Sequence, residues 1–155
     1  LADGAEDCRR EFAELLLADL RTDGNIVVYS SFEKTILTRL QEWFDDLADP
    51  LERVKNRLVD LQAIIKKHVW HPEFRGSTSI KRTLPVLVPE MDYSDLQIAN
   101  GDHASAAFYH MATGCIEPAE EKTTRASLLL YCERDTLAMV KLHDALLDAA
   151  NTGST

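Results

Sequence analysis

Tyr131 and Asp135 lie four residues apart within Leu128–Leu142, a stretch without Gly or Pro in which apolar residues recur at helical spacing. A helix over this stretch would project both side chains from one face. A carboxylate can hold a hard metal ion, and a phenol can orient a water that attacks phosphorus or accept its proton. Because Tyr–Asp pairs at this spacing are common, the alternative is a structural pair.

A second candidate carboxylate, Glu33, follows a short β-branched run. Ile26–Tyr29 comes after a turn signal and predicts a buried strand. Ser30 or Ser31 can cap a helix that begins near Phe32, which places Glu33 in the first helical turn. That position, beyond the carboxyl end of a strand, is where open α/β sheets bind ligands. The alternative is a Glu that only complements the helix dipole.

Residues 66–82 break the acidic character of the chain, with five cations against one carboxylate, Glu73. Cations interleaved with aromatic side chains suit a groove for single-stranded nucleic acid, DNA or RNA. The alternative is a solvated loop whose aromatics anchor it to the core. His68 and His71 have no third ligand at a known metal-site spacing, so we expect packing or surface histidines. The candidate nucleic-acid-binding residues are Lys66, Lys67, Trp70, Arg75, Lys81 and Arg82.

In order and separation, the stretches around Glu33 and around Tyr131 resemble the second and third motifs of the RNase H-like 3′–5′ exonucleases. This superfamily is named for four acidic metal ligands, and the third motif resembles that of its tyrosine-containing subclass. Other segments are similar to an uncharacterised bacterial family of unknown function within the superfamily. Those segments are Arg57–Leu61, Gly76–Lys81, Leu84–Pro89 and Tyr131–Thr136.

The resemblance implies a nuclease that uses two Mg²⁺ or Mn²⁺ ions about 3.5–4 Å apart. Glu33 and Asp135 would be metal ligands, and Tyr131 would orient the attacking water. Asp60, at the end of a strand or helical continuation that starts near Leu58, would be a second-rank ligand close to the same sheet edge. The alternative for Asp60 is a surface or capping residue. A shared site requires that the Glu33 and Asp135 carboxylates lie within about 10 Å of each other.

The first motif of the superfamily, Asp-x-Glu on an opening strand, is not found. Asp3 and Glu6 lie three apart in a polar stretch without strand character. We therefore interpret the chain as the later part of a larger protein, with half of the metal ligands supplied from upstream. On this interpretation the isolated chain is inactive. A competing hypothesis is a non-catalytic, α-rich interaction module on a nuclease scaffold.

Composition indicates a globular protein, with one domain over residues 1–150 and a disordered tail at 151–155; the chain has 155 residues and is 45% hydrophobic. No apolar run approaches the roughly 18 residues of a membrane-spanning helix, so we expect no membrane partner. Three cysteines without Cys-x-x-Cys spacing indicate reduced thiols and a cytoplasmic location. The net charge of −9 argues against tight, sequence-independent DNA binding but does not exclude a metal-dependent nuclease. A zinc hydrolase is disfavoured because the chain has neither His-Glu-x-x-His nor a Cys cluster.

The predicted fold is α/β and helix-rich, with an RNase H-like core that lacks its opening antiparallel strands. Ile26–Tyr29 should be a central parallel strand, with a second strand near Leu58–Asp60. The unpaired sheet edge that results predicts either a homodimer through that edge or further N-terminal residues. Phe12, Leu15 and Trp43 are expected in the core. Helices are expected from about Cys8, from Phe32 to about Ala48, from Asp49-Pro50 with Pro50 first, from near Ser79 and from Gly101 to about Met111. A further helical tract, of one helix or two, is expected from Glu117 to about Ala149.

Overall fold

The structure, a computed structural model, describes residues 6–152. It is helix-rich and contains a small parallel sheet, so the prediction of a helix-rich α/β fold is confirmed. The strands are β1 (Ile26–Val28) and β2 (Leu58–Asp60). The helices are α1 (Arg9–Asp19), α2 (Phe32–Trp43), α3 (Ala48–Lys55), α4 (Leu61–His68), α5 (Ile80–Leu87), α6 (Gly101–Ala112) and α7 (Pro118–Thr152).

The chain divides into two compact units. Residues 8–83 form the first unit, and residues 84–152 with residues 6–7 form the second. The prediction of one domain over residues 1–150 stays a prediction. Helix α7 continues to Thr152, and residues 153–155 of the predicted tail lie outside the described part of the chain.

The first unit is built around the β1 and β2 pair. The strands are parallel, with Ile26 opposite Leu58 and Val28 opposite Asp60. Parallel strands need a crossover, and α2 and α3 provide it. Within residues 6–152, β1 pairs with β2 alone, so the prediction of a central strand is wrong for the described residues. The buried cluster beside the sheet comprises Ala13, Leu37, Leu40, Leu51 and Val54.

Three residues expected in the core of the first unit are exposed. Phe12 and Leu15 are 51% and 57% exposed, because α1 turns its small Ala13 inward instead. Trp43 is 49% exposed, and the Arg9 guanidinium lies 4.2 Å from its ring centroid. A cation over an indole face accounts for a half-exposed Trp without burial in the core.

Two helix boundaries differ from the prediction. Helix α2 ends at Trp43 rather than near Ala48, because Phe44 leaves the helical region with φ −133° and ψ 83°. A short 3₁₀ turn follows, and α3 then begins at Ala48, so Pro50 lies in its first turn and not at its first position.

The second unit contains α6 packed against the long helix α7. The helix predicted over Leu128–Leu142 is confirmed as part of one continuous helix of 35 residues. The helix predicted from Gly101 to Met111 is also confirmed, and Gly114 follows it with φ +67°. Among the described residues, no helix is both long enough and apolar enough to cross a membrane.

Candidate functional site

A Tyr–Asp–Tyr cluster forms around α7. Tyr131 and Asp135 are one helical turn apart, as their spacing predicts. The Tyr93 hydroxyl donates a hydrogen bond of 2.7 Å to Oδ1 of Asp135. The Tyr93 and Tyr131 ring centroids lie 6.3 Å apart. The Asp135 carboxylate is therefore held by a neighbouring loop and lies beside a second phenol on its own helix.

Both phenols keep their protons at neutral pH. Burial, and then the Asp135 carboxylate, raise the pKa of Tyr131 to about 12. Burial, followed by the hydrogen bond to Asp135, also raises the pKa of Tyr93. A phenol with such a pKa can donate a hydrogen bond but is a poor proton acceptor at neutral pH. This pKa is compatible with a Tyr131 that orients a water, and both roles of Tyr131 stay predictions.

The loop that carries Tyr93 is fixed to α7. Tyr93 is only 8% exposed. The Arg134 guanidinium donates two hydrogen bonds of 2.8 Å to the Asp95 carboxylate and a third to the carbonyl of Asp92. Tyr131 Oη lies 3.8 Å from the position that a β-carbon on Gly101 would take, beside the first turn of α6. The cluster is therefore held between the loop that carries Tyr93, helix α7 and the first turn of α6.

A cavity of about 470 Å³ lies against the same loop. Its charged lining includes Asp92, Arg134 and Lys141, together with apolar side chains such as Met91. Neither Tyr131 nor Asp135 lines it. The chemical pair and this cavity are therefore separate features of the second unit.

Glu33 occupies the first turn of α2, as predicted. It is half-buried and lines an otherwise apolar cavity of about 280 Å³ with Phe12, Phe32 and Ile36. Ser31 holds the N-cap position, but its side chain makes no capping hydrogen bond.

Ser30, at the end of β1, has a left-handed backbone with φ +85°. Its amide donates a 2.9 Å hydrogen bond to Asp60, which stabilises this uncommon conformation. Its hydroxyl accepts a 3.3 Å hydrogen bond from the amide of Phe32. Of the two serines predicted as caps, Ser30 therefore contacts the first residue of α2 through its side chain, and Ser31 does not.

Asp60 is a helix cap. Its Oδ1 accepts hydrogen bonds from the amides of Gln62 and Ala63 at the start of α4, and from Ser30. The strand predicted near Leu58 is confirmed, and so is the alternative of a capping Asp60. Its proposed role as a metal ligand stays a prediction.

The two-ion site that the resemblance implies stays a prediction. Among residues 6–152, no group of three or more His, Cys, Asp or Glu side chains is arranged to hold a metal ion. Glu33 and Asp135 belong to different units, so their shared site stays a prediction. Asp3 lies outside the described residues. His68 and His71 are both exposed, and Nδ1 of His71 accepts a hydrogen bond from the amide of Glu73.

The candidate nucleic-acid-binding residues lie on the surface of the first unit, on α4, α5 and the segment that joins them. All of these side chains are exposed: Lys66, Lys67, Trp70, Arg75, Lys81 and Arg82. Trp70 is 84% exposed. The alternative, in which aromatics anchor the loop to the core, holds for Phe74, which is 4% exposed.

Tyr93 is the member of the cluster that sequence patterns missed. The segment Asp92–Asp95 predicts a turn, and a turn explains the Asp and Ser residues without requiring the tyrosine. A large aromatic inside such a turn was the available signal, because aromatic side chains that are buried usually find a partner for their hydroxyl. The identity of that partner, 42 residues away, has no local signal.

The fold and the site together define a helix-rich α/β protein with a parallel βαβ element and a phenol–carboxylate cluster on a long helix. A family model described as a domain of unknown function (DUF2779) matches residues 1–79, more than half of the chain, and the chain therefore belongs to that family. The matched range includes Glu33 and Asp60 and ends before Tyr131. No curated protein and no solved structure matches the chain.

Proposed function

We propose that this chain is part of a nuclease of the RNase H-like 3′–5′ exonuclease type, which hydrolyses phosphodiester bonds in a nucleic-acid strand. The observation that carries the proposal is the Tyr131–Asp135 pair on α7, with the carboxylate held by Tyr93. A preorganised phenol and carboxylate suit the positioning of a water for attack on phosphorus. The order of the two motif-like stretches along the chain adds support.

In this mechanism, the side chains of Tyr131 and Asp135 position the attacking water and the phosphate. Tyr131, whose pKa of about 12 keeps it protonated, donates a hydrogen bond to the water or to a phosphate oxygen. Asp135 supplies negative charge at a fixed position because Tyr93 holds one of its oxygens. Two Mg²⁺ or Mn²⁺ ions, when bound, would have Glu33 and Asp135 as ligands, with Asp60 as a second-rank ligand, and would stabilise the charge on the phosphate. The proposal also requires carboxylates beyond those that the described residues bring together.

The test is Mn²⁺-dependent cleavage of end-labelled single-stranded DNA and RNA by the natural protein that carries this chain. We expect stepwise shortening from the 3′ end and a loss of at least about 100-fold in rate for Asp135→Ala. Tyr131→Phe should lower the rate with little change in substrate affinity. The matched control is Asp148→Ala, which removes an exposed carboxylate from the same helix. Folded protein that cleaves no substrate overturns the proposal.

A second candidate function is a non-catalytic interaction module on the same scaffold. It is favoured by the absence of a three-residue metal-binding group among residues 6–152 and by the capping role of Asp60. On this hypothesis the Tyr93 hydrogen bond only attaches a loop to α7. The cleavage assay separates the two functions, because a module would show no Mn²⁺-dependent shortening and Asp135→Ala would only lower stability.

The proposed nuclease is cytoplasmic, since Cys8, Cys115 and Cys132 are all free thiols and suit a reducing compartment. A homodimer through the edge of β1 that does not face β2 is also part of the proposal. Sedimentation velocity tests it: a concentration-dependent dimer that Val27→Pro removes would support pairing at that edge, and a monomer at every concentration would exclude it.

A further inference from the structure

Trp70 is the most exposed of the large hydrophobic side chains in the described part of the chain, at 84%. The other tryptophan, Trp43, is half-exposed and has the Arg9 guanidinium over its ring. No hydrogen bond or ring contact occupies the indole of Trp70 among residues 6–152. Exposure of a whole indole to water is unfavourable, and an exposed aromatic side chain interleaved with cations suits the stacking of nucleic-acid bases.

The segment around Trp70 is held in place on both sides. Helix α4 precedes it, and Phe74 is buried after it. The carbonyl of Thr78 accepts hydrogen bonds of 2.7 Å from the Tyr29 hydroxyl and 3.0 Å from the Gln62 amide group. The exposure of Trp70 is therefore set by an anchored backbone.

The stretch of chain that carries Trp70 is cationic although the chain as a whole carries a net charge of −9. Residues 66–82 contain five Lys and Arg side chains and one acidic side chain. Each of these cations is exposed, and none forms a salt bridge with another residue of the described chain. They are Lys66, Lys67, Arg75, Lys81 and Arg82. Unpaired surface cations in an acidic protein provide a local site for a polyanion.

We propose that Trp70 is a base-stacking platform, and that the exposed cations of residues 66–82 bind the phosphates of a single-stranded nucleic acid. A single strand offers both an unstacked base face and a phosphate chain, and every base can stack on an indole. A duplex hides its base faces, and a polyphosphate has none. The ligand class rests on the proposed function, but binding is measured without cleavage, so the two can fail separately.

The experiment uses the full chain of 155 residues with Trp43→Phe, so that Trp70 is the single tryptophan. The probe is an oligothymidylate of about 12 nucleotides, within the usual range of binding-site sizes. We expect the strand to quench the Trp70 fluorescence and the binding constant to fall as salt rises. Trp70→Ala, measured with a labelled strand, should weaken binding by about 5- to 100-fold. Trp70→Phe should restore part of the affinity.

Two comparisons decide between outcomes. Lys66→Ala should reduce the salt dependence, whereas Lys122→Ala, an exposed lysine on α7, should leave binding unchanged. Inorganic polyphosphate and a duplex of equal length should bind more weakly than the single strand and should leave the Trp70 fluorescence unquenched. The proposal is overturned if the strand does not bind, or if Trp70→Ala binds the strand as tightly as the unsubstituted chain does. Binding without cleavage by the natural protein would overturn the proposed function alone.

Discussion

Asp60 and Asp135 are both half-buried acidic candidates, but their carboxylates are engaged in different ways. Asp60 ends the strand β2, and its Oδ1 accepts hydrogen bonds from three backbone amides, those of Ser30, Gln62 and Ala63. Asp135 lies inside a long helix, where backbone amides already bond to carbonyls one turn earlier. Its Oδ1 instead accepts a hydrogen bond from a side chain, the hydroxyl of Tyr93.

This difference distinguishes a structural carboxylate from one suited to chemistry. Backbone amides at a helix start have few other partners, so the Asp60 carboxylate stabilises the start of α4. A tyrosine hydroxyl can rotate or exchange partners, so Asp135 can change its hydrogen bonds without unfolding a helix. We therefore expect substitutions of Asp60 to act mainly on stability and substitutions of Asp135 mainly on function.

The largest effect is expected from Asp60→Ala. Loss of one acceptor for three amides should lower the free energy of unfolding by about 2–3 kcal/mol. Asp60→Asn keeps an acceptor oxygen and should cost about half as much. Urea unfolding followed by circular dichroism measures both. Equal stability of Asp60→Ala and the unsubstituted chain would show that the cap is not the main role of Asp60.

A smaller effect is expected from Asp135→Asn at neutral pH, about 1 kcal/mol, because one side-chain hydrogen bond is weakened and no cap is lost. The same urea experiment gives the value. A loss as large as that of Asp60→Ala would mean that Asp135 is also a structural carboxylate, and the contrast between the two would fail.

The pH dependence of the Asp135 variant sharpens the contrast. The pKa of Tyr131 is about 12 in the folded chain and 10.0 ordinarily. Because the folded state holds this proton more tightly, its contribution to stability is complete below pH 10.0 and is lost as pH rises to about 12. Asp135→Asn removes the part of the Tyr131 pKa shift that the Asp135 charge causes and leaves the part that burial causes. Urea midpoints measured through this pH range should therefore fall less steeply in the variant, and parallel curves would contradict this.

Local patterns predicted the parts of the site that depend on local structure. The local pattern left residues 58–61 open between a strand and a helical continuation. The helix over Leu128–Leu142, the strand β1 and the position of Glu33 follow from periodicity and turn residues. These features are set by interactions between residues close in sequence, which is why they can be predicted.

Features that depend on distant contacts were missed or wrong. Tyr93 reaches Asp135 across 42 residues, and nothing in its turn specifies that partner. Trp43 was expected in the core, but α2 places it toward Arg9 at the surface. In both cases the outcome depends on which face of an element meets which neighbour, and composition alone does not fix that choice.

The smallest effect is expected from Asp95→Ala, which removes the ion pair with Arg134. Asp95 is largely exposed, so water and salt screen the pair and its loss should lower stability less than Asp135→Asn does. The Arg134 guanidinium holds the pKa of Asp95 below its usual range, so the small contribution is present above that range and disappears as pH falls. Urea midpoints at low and high salt measure it, with Asp148→Ala as the control. If Asp95→Ala instead lowers stability more than Asp135→Asn does, the ion pair with Arg134, and not the Tyr93 hydrogen bond, would be the main attachment of that loop to α7.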